Sequence, residues 1–571
     1  GNLSTYPTHE PIEKRVFRLC GLTQPCPSEP KDPFPDRCGP KKAASEVMKG
    51  RTAEPGTRRY WAEIRSLERP VLPLSHHSRY TMALGYANSY HIGMSSLAFQ
   101  RVFELIHRTP EWSCERFFAD GTGMPLSVEA ATPLNSFGTL AFSISFEEDY
   151  VHLLQMLTRA GIALRRKDRG AGDPVIIVGG SCAMINPLTL SEFVDVFALG
   201  AAENLLPALL PALAKEPSRA AVLERLATVE GFYVPAAFGP GQVPESKLKK
   251  LELSEEQMRL PGNLPTTAIV TPSTEFSDKF LIEMSRGCPE KCRYCWATFG
   301  MGRFRWHPTD EILGSLERAR PVTDQLGFVA TAVGDHPEIE RILREAGEMG
   351  FRSAVSSVRI PAVTEGVLEA LHTSGGRSIT LAPETGSDAL RVKLNKPIPN
   401  EALYDKVRLI FRQGFTGLKL YFIIGLPEET EEDVRAILEV AARCRTLMLE
   451  ELAPTGVIGQ IHVGANILIP KPYTGYQREQ MEAPESLKRK ISILNRGVAA
   501  LDNVSLGTMS VRQAIWQAYL SKADRTAAEP LERAAHGATV ASLLREFRDQ
   551  IDPLVFEPPK GPLPWQFLRT A

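Results

Sequence analysis

Three cysteines at a C-x3-C-x2-C spacing, Cys288, Cys292 and Cys295, follow directly on the apolar run Phe280-Leu281-Ile282-Glu283-Met284. Such a run reads as a buried strand, so the loop leaving it must hold three thiols close together. Three thiolates grip three corners of an iron–sulfur cube, whereas a complete 4Fe–4S cluster takes four. The next cysteine in the chain is Cys444. One iron is then left for an exogenous ligand, by the same logic that leaves a position open in a catalytic zinc site. Two blander readings stand beside this one: a closed zinc site with His307 as fourth ligand, and three unrelated cysteines.

With the aromatic Tyr294 before the last cysteine, the motif resembles the signature of the radical S-adenosylmethionine (SAM) superfamily. The resemblance implies that the open iron takes the amino and carboxylate groups of SAM. It also implies that an electron from the cluster splits SAM into methionine and a 5′-deoxyadenosyl radical. The hard chemistry then belongs to the cofactor, and the protein orients and shields it.

The rest of the chain must house that loop. At 571 residues it is too long for one ordinary domain and is expected to form two or three. Lysine plus arginine number 66 and aspartate plus glutamate 67, which gives no electrostatic case for nucleic acid. No apolar run reaches the ~18 residues of a membrane span. Nine cysteines, three of them clustered, suit a reducing cytoplasm better than a disulfide framework. Residues 1–78 read as a partly irregular, Pro-rich extension, closed by a short amphipathic helix at 58–68 that docks on the next domain. Cys20, Cys26 and Cys38 lie there; they are either ordinary thiols or ligands of a second cluster.

Residues 79–230 alternate strand-like and helical runs, which argues a doubly wound, Rossmann-like parallel sheet with ligands at the strand carboxyl ends. Ser95 is the expected cap of a helix to His107. Glycines at the strand ends, Gly179-Gly180 and Gly200, let backbone approach a ligand. This region resembles the cobalamin-binding-like domain upstream of many radical SAM barrels. The resemblance rests on Ile92-Gly93-Met94-Ser95, on Gly179-Gly180-Ser181-Cys182 with Asn186-Pro187, and on Gly200-x-x-Glu203. It implies cobalamin near His91, Gly179 and Gly180. The cobalt-ligating pattern D-x-H-x-x-G is absent, and His91 is either a cobalt ligand or a solvated loop residue.

Residues 231–265, with Lys247, Lys249 and Lys250, read as a linker over the surface. Residues 266–480 contain six strand-like runs with helices between, and this matches the partial (β/α)6 barrel of the superfamily. Chemistry in such barrels sits at the strand carboxyl ends. The residues there are Gly334 and Asp335, then Ser357 and Arg359, then Glu384, then Gly425 and Leu426. With Tyr294 they form the expected SAM pocket: Arg359 for the carboxylate, Glu384 for the ribose or ammonium, and Gly425-Leu426 for the adenine. Residues 481–571 read as a helical C-terminal region with a Pro-rich tail.

The overall expectation is an α/β protein in which a Rossmann-like domain precedes the barrel. Three functional classes follow. The first is cobalamin-dependent methyl transfer to an unactivated carbon. The second is a radical enzyme without cobalamin, such as a methylthiotransferase, and the third is a non-catalytic iron–sulfur binding or maturation protein. An electron donor such as flavodoxin or ferredoxin is implied by the resemblance. The aromatics Phe299, Phe304, Trp306, Tyr473 and Tyr476 line a substrate cavity or form lid core, and the substrate is not legible.

Overall fold

The computed structural model describes residues 53–74, 78–239 and 242–569. Cys20, Cys26 and Cys38, and with them the second-cluster reading, lie outside these residues. The first helix described, α1 (Arg58–Arg65), is capped by Thr57, whose hydroxyl accepts from the Tyr60 N–H. Its spacing brings Tyr60, Trp61 and Ile64 onto one buried face. Trp61 lies against Tyr90 and Phe118 of the neighbouring sheet region, so the helix docks there as its pattern requires.

That sheet has six strands: β1 (Tyr80–Tyr86), β2 (Trp112–Phe118), β3 (Thr139–Ser143), β4 (Val175–Gly179), β5 (Val196–Ala198) and β6 (Phe232–Tyr233). Their order is β2-β1-β3-β4-β5-β6, parallel throughout except for the last pair. Helices α2 (Leu97–Arg108) and α4 (Ala202–Lys215) share one hydrophobic cluster with Met82, Leu84 and Ile177, while α3 (Asp149–Arg159) shares the other with Ala83, Leu140 and Val178. Successive residues of one strand thus feed opposite cores, the period-two consequence of the pleat. The order 2-1-3-4-5 places the topological switch point between β1 and β3. The cap of α2 is Ser96; Ser95 instead donates to the His91 carbonyl at 2.5 Å and accepts from the Glu275 N–H at 2.9 Å.

The second half carries two four-stranded sheets. The first holds β7 (Phe280–Arg286), β8 (Arg305–Trp306), β9 (Gln325–Ala330) and β10 (Arg352–Val355) in the order β8-β7-β9-β10. The second holds β11 (Ser378–Glu384), β12 (Gly417–Ile424), β13 (Gln460–Ile467) and β14 (Val504–Thr508) in sequence order. All neighbours except β7 and β8 are parallel. The Val358 N–H donates to the Thr380 carbonyl at 3.2 Å and links the two sheets beyond the end of β10. The six expected strands are therefore all present. Strand β14 is a correction to the helical reading of the C-terminal region: five residues containing a glycine carry little periodic signal, yet they pair along β13.

The connector after β6 also departs from expectation. Leu251 exchanges backbone hydrogen bonds with Leu199 and Ala201, both at 2.9 Å, which lays this segment across the end of β5. Lys250 and Leu253 are buried, at 3% and 1% exposure, so this part of the connector is interior rather than surface. Side-chain charges tie the halves together. Arg101 pairs with Glu203, and Arg286 of β7 reaches Glu203 at 3.5 Å and Glu283 at 2.8 Å. On the far side Lys471 pairs with buried Glu147, which also accepts from Ser521 and Gln517. Among the described residues no helix is long and apolar enough to cross a membrane.

Candidate active site and cofactor cavity

Strand β7 delivers the cysteine loop. Gly287 turns the chain with φ +75°, and a Cβ there would meet the Arg303 carbonyl at 2.6 Å, so only glycine lets the loop leave the strand this way. Cys288, Cys292 and Cys295 are unbridged. Burial pushes all three thiols up, Cys292 to about 11, and their mutual repulsion as thiolates adds to the effect at Cys292 and Cys295. Backbone N–H groups of Glu290, and of Ala297 and Thr298, oppose this at Cys288 and Cys295. Three thiols on one loop, buried, mutually interacting and supplied with donors, fit a site whose positive charge comes from bound iron.

The zinc alternative loses its fourth ligand. His307 is wholly buried, with Nδ1 3.2 Å from the Met258 carbonyl and Nε2 3.1 Å from Glu283. Among the described residues no three His, Cys, Asp or Glu side chains converge on a single-ion site. A four-iron cluster asks for something else, since each cysteine takes a different iron.

Tyr294, between the second and third cysteines, is fastened to the end of β11. Its hydroxyl donates to Glu384 Oε1 at 2.6 Å, and Lys396 Nζ donates to the same oxygen at 2.7 Å. Glu384 is a non-glycine residue at φ +70° and is nearly buried. Such strain costs of order ~1–3 kcal/mol and persists where the surroundings over-determine it. The ring of Tyr294 packs on a small cluster containing Leu426 and Tyr476. Tyr476 is thus core beside the cysteine loop, and Tyr473 turns at φ +66° with its hydroxyl donating to the Trp565 carbonyl.

Arg359 forms ion pairs with Asp335 and Glu290. Asp335 keeps one buried oxygen, Oδ2, without a partner, and burial raises its carboxyl above the usual range. Gly334 has a packing role: a Cβ there would meet the Ala362 Cβ at 2.8 Å. Ser357 is exposed. Gly425 turns at φ +80°, and its N–H donates to Glu429 Oε2 at 2.7 Å. Lys490 holds the same carboxyl, which burial raises to about 7. Sequence reasoning gave no role to Glu290, Lys396 or Glu429. The first lies inside the cysteine loop and the second directly follows Asn395, but their pairings depend on chain crossings that spacing does not encode.

A second site lies in the Rossmann-like half. A cavity of about 240 Å³ runs between the sheet face and helices α2 and α4, and reaches Ser143, Ser145, Gly179 and Gly180. Its far wall includes Glu283 and Arg286 of the cysteine-bearing strand, together with Met301. Most of the lining is aliphatic, including Met82, Leu84, Leu205 and Leu209. At Gly179 the nearest atom to an added Cβ is 3.8 Å away, so a ligand can approach. At Gly180 and Gly200, which also line the cavity, a Cβ would meet the Ile144 and Leu251 carbonyls at 2.6 and 2.5 Å, so packing alone already asks for glycine there. His91 is not part of this lining, and its Nε2 is 3.1 Å from Glu275. An apolar slot of this size has room for a small planar or apolar group, such as the base of a corrinoid. The macrocycle itself would have to lie outside it, since even drug-sized ligands take roughly 300–1,000 Å³.

Residues 98–235 match the family described as radical SAM proteins, N-terminal, and residues 282–441 match the radical SAM superfamily. The chain belongs to the radical SAM superfamily. An uncharacterized protein of Methanocaldococcus jannaschii is 23% identical over 474 residues, 82% of this chain and 94% of its own length. The tRNA-2-methylthio-N(6)-dimethylallyladenosine synthase of Mycobacterium avium is 24% identical over 328 residues, covering 52% of this chain and 44% of that protein. Among solved structures, the cobalamin-dependent SAM radical enzyme OxsB, with aqua-cobalamin and SAM bound, aligns at 14% identity and TM-score 0.45. The alignment covers 63% of this chain and 51% of OxsB, about half its length.

Proposed function

We propose that this radical SAM protein is an enzyme that cleaves SAM at a 4Fe–4S cluster held by Cys288, Cys292 and Cys295. The observation that carries the reading is three buried, mutually interacting thiols on one loop that also carries the Tyr294–Glu384–Lys396 contact, with the unpartnered oxygen of Asp335 close enough to act on Cys288. The reduced cluster, when bound, supplies the electron that splits SAM into methionine and a 5′-deoxyadenosyl radical. The chain's own contribution is binding and orientation. Arg359 receives the SAM carboxylate in place of Glu290, the more exposed of its two partners, and Asp335 Oδ2 takes the ammonium. Glu384, pinned by Tyr294 and Lys396, faces the ribose, while Gly425 and Leu426 form an apolar edge for adenine. We read the two four-stranded sheets as one split barrel enclosing these groups, with flavodoxin or ferredoxin as electron source.

The finer reading is cobalamin-dependent methyl transfer to an unactivated carbon. Its support is the cavity, which opens at Gly179 and shares Arg286 with the cysteine-bearing strand. Cobalamin, when bound, supplies the methyl carrier; the residues around the slot supply an apolar seat and leave cobalt without a side-chain ligand. The likeness to the M. avium tRNA enzyme favours a second reading, methylthio transfer without cobalamin. That chemistry needs a second cluster, whose candidate ligands Cys20, Cys26 and Cys38 lie outside the described residues; the other described cysteines, Cys114, Cys182 and Cys444, are each buried in hydrophobic core. Titration with hydroxocobalamin, followed by its spectrum and by gel filtration, tests the choice. Co-elution supports methyl transfer, whereas cofactor that elutes free, with about eight irons per chain, supports the second reading.

A further inference from the structure

Lys250 is the least satisfied cation in the described structure. Its side chain is buried, at 3% residue exposure, and its Nζ has no hydrogen-bond partner. What compensates it is the ring of Tyr473, whose centroid lies 4.1 Å from Nζ, and the longer-range attraction of Glu252. A cation–π contact returns only part of what it costs to bury an ammonium without a hydrogen-bond partner. Burial pushes this ammonium down to about 8, with the nearby Glu252 carboxylate opposing the shift. The shortfall calls for an acceptor that the described residues do not provide.

The surroundings indicate where that acceptor sits. Leu251 is sewn to the end of β5, so Lys250 and Glu252 project to the same side of an extended segment, and Glu252 lines the cofactor cavity. Tyr473 belongs to the 471–477 turn. One end of that turn is tied to the Rossmann-like half through Lys471 and Glu147. The other end rests on the cysteine loop, where the Tyr476 N–H donates to the Arg293 carbonyl at 3.2 Å. Lys250 therefore stands in the seam between the two cofactor regions. We propose that Lys250 binds an anionic group, a carboxylate or a phosphate, of the molecule on which this enzyme acts. Calling that molecule the substrate rests on the radical SAM reading above; the anion site does not.

The test is thermal unfolding of the full chain, reconstituted with iron and sulfide, in matched ionic strength with chloride, acetate or inorganic phosphate. A ligand that binds only the folded state raises the melting temperature in proportion to its affinity. The parent and Lys250→Arg should be stabilised by acetate or phosphate over chloride. Lys250→Met should bind the same anion at least ~10-fold more weakly, which is ~1.4 kcal/mol. It should also melt no lower than the parent in chloride, because methionine removes an unpaired buried charge while filling its space. Equal responses in parent and Lys250→Met, or none in the parent, would overturn the site. Acetate and phosphate in separate arms distinguish the two anions. Iron content and SAM binding of the parent are read alongside. If those fail while the anion response stays, the catalytic reading falls and the anion site stands.

Discussion

The loop after β7 and the loop after β4 are alike in sequence: each follows an apolar strand, each opens on glycine, and each carries cysteine. They differ in what they leave unsatisfied. Around Cys288 to Cys295 three thiols are pushed up by burial, Asp335 has a bare buried oxygen, and Glu384 is held at positive φ. Around Gly179-Gly180 the chain fills most of its own gaps. Ile144 and Leu251 occupy the space beside Gly180 and Gly200, Glu275 holds His91, and what remains is an apolar slot. The contrast shows that a polar cofactor site announces itself by unpaired donors and acceptors, and an apolar one only by its shape.

Replacing Cys288, Cys292 and Cys295 together with alanine should have the largest effect. Iron and SAM cleavage should both vanish while the slot still takes up hydroxocobalamin; a brown, iron-replete variant would place the cluster elsewhere. Next, Arg359→Ala should keep its iron but bind SAM about 10- to 1000-fold more weakly, by anaerobic calorimetry. Unchanged affinity would leave Arg359 as a bridge between Asp335 and Glu290 alone. Tyr294→Phe removes a charge-assisted hydrogen bond to Glu384, and chelators should then strip iron faster by on the order of tenfold. On the other side, Ala141→Phe fills the slot. It should abolish cobalamin uptake at a stability cost of ~1–3 kcal/mol and leave iron untouched. The smallest effect belongs to His91→Ala, whose cobalamin affinity should match the parent's within about twofold, because its Nε2 already has Glu275 as a partner at 3.1 Å.

The same contrast explains what the sequence made legible. Cys288, Cys292 and Cys295 were readable because cluster ligands sit at a local spacing. Most of the six expected strands were readable because each holds a short apolar run, although Arg352-Ser353-Ala354-Val355 of β10 carries little of one. Strand β14 was not, since Val504-Ser505-Leu506-Gly507-Thr508 acquires its register only from β13. Gly180, Gly200 and Gly334 look like ligand-approach glycines, and each also admits a close neighbour from another part of the chain, which spacing alone does not reveal. The commitment of Glu384 to Tyr294 and Lys396 spans 90 and 12 residues respectively, and pairings of that kind have no local signature. The connector around Lys250 looked like surface because lysine and proline dominate it, and only its pairing with β5 brings it inside.

The central claim is that two cofactors occupy two separate strand-end sites. Iron and cobalt per chain, measured side by side after anaerobic purification with cobalamin supplied, test it in the parent, the triple cysteine variant and Ala141→Phe. The account predicts about four irons and one cobalt in the parent, cobalt without iron in the cysteine variant, and iron without cobalt in Ala141→Phe. Iron retained by the cysteine variant, or a parent that never takes up cobalt, would contradict it.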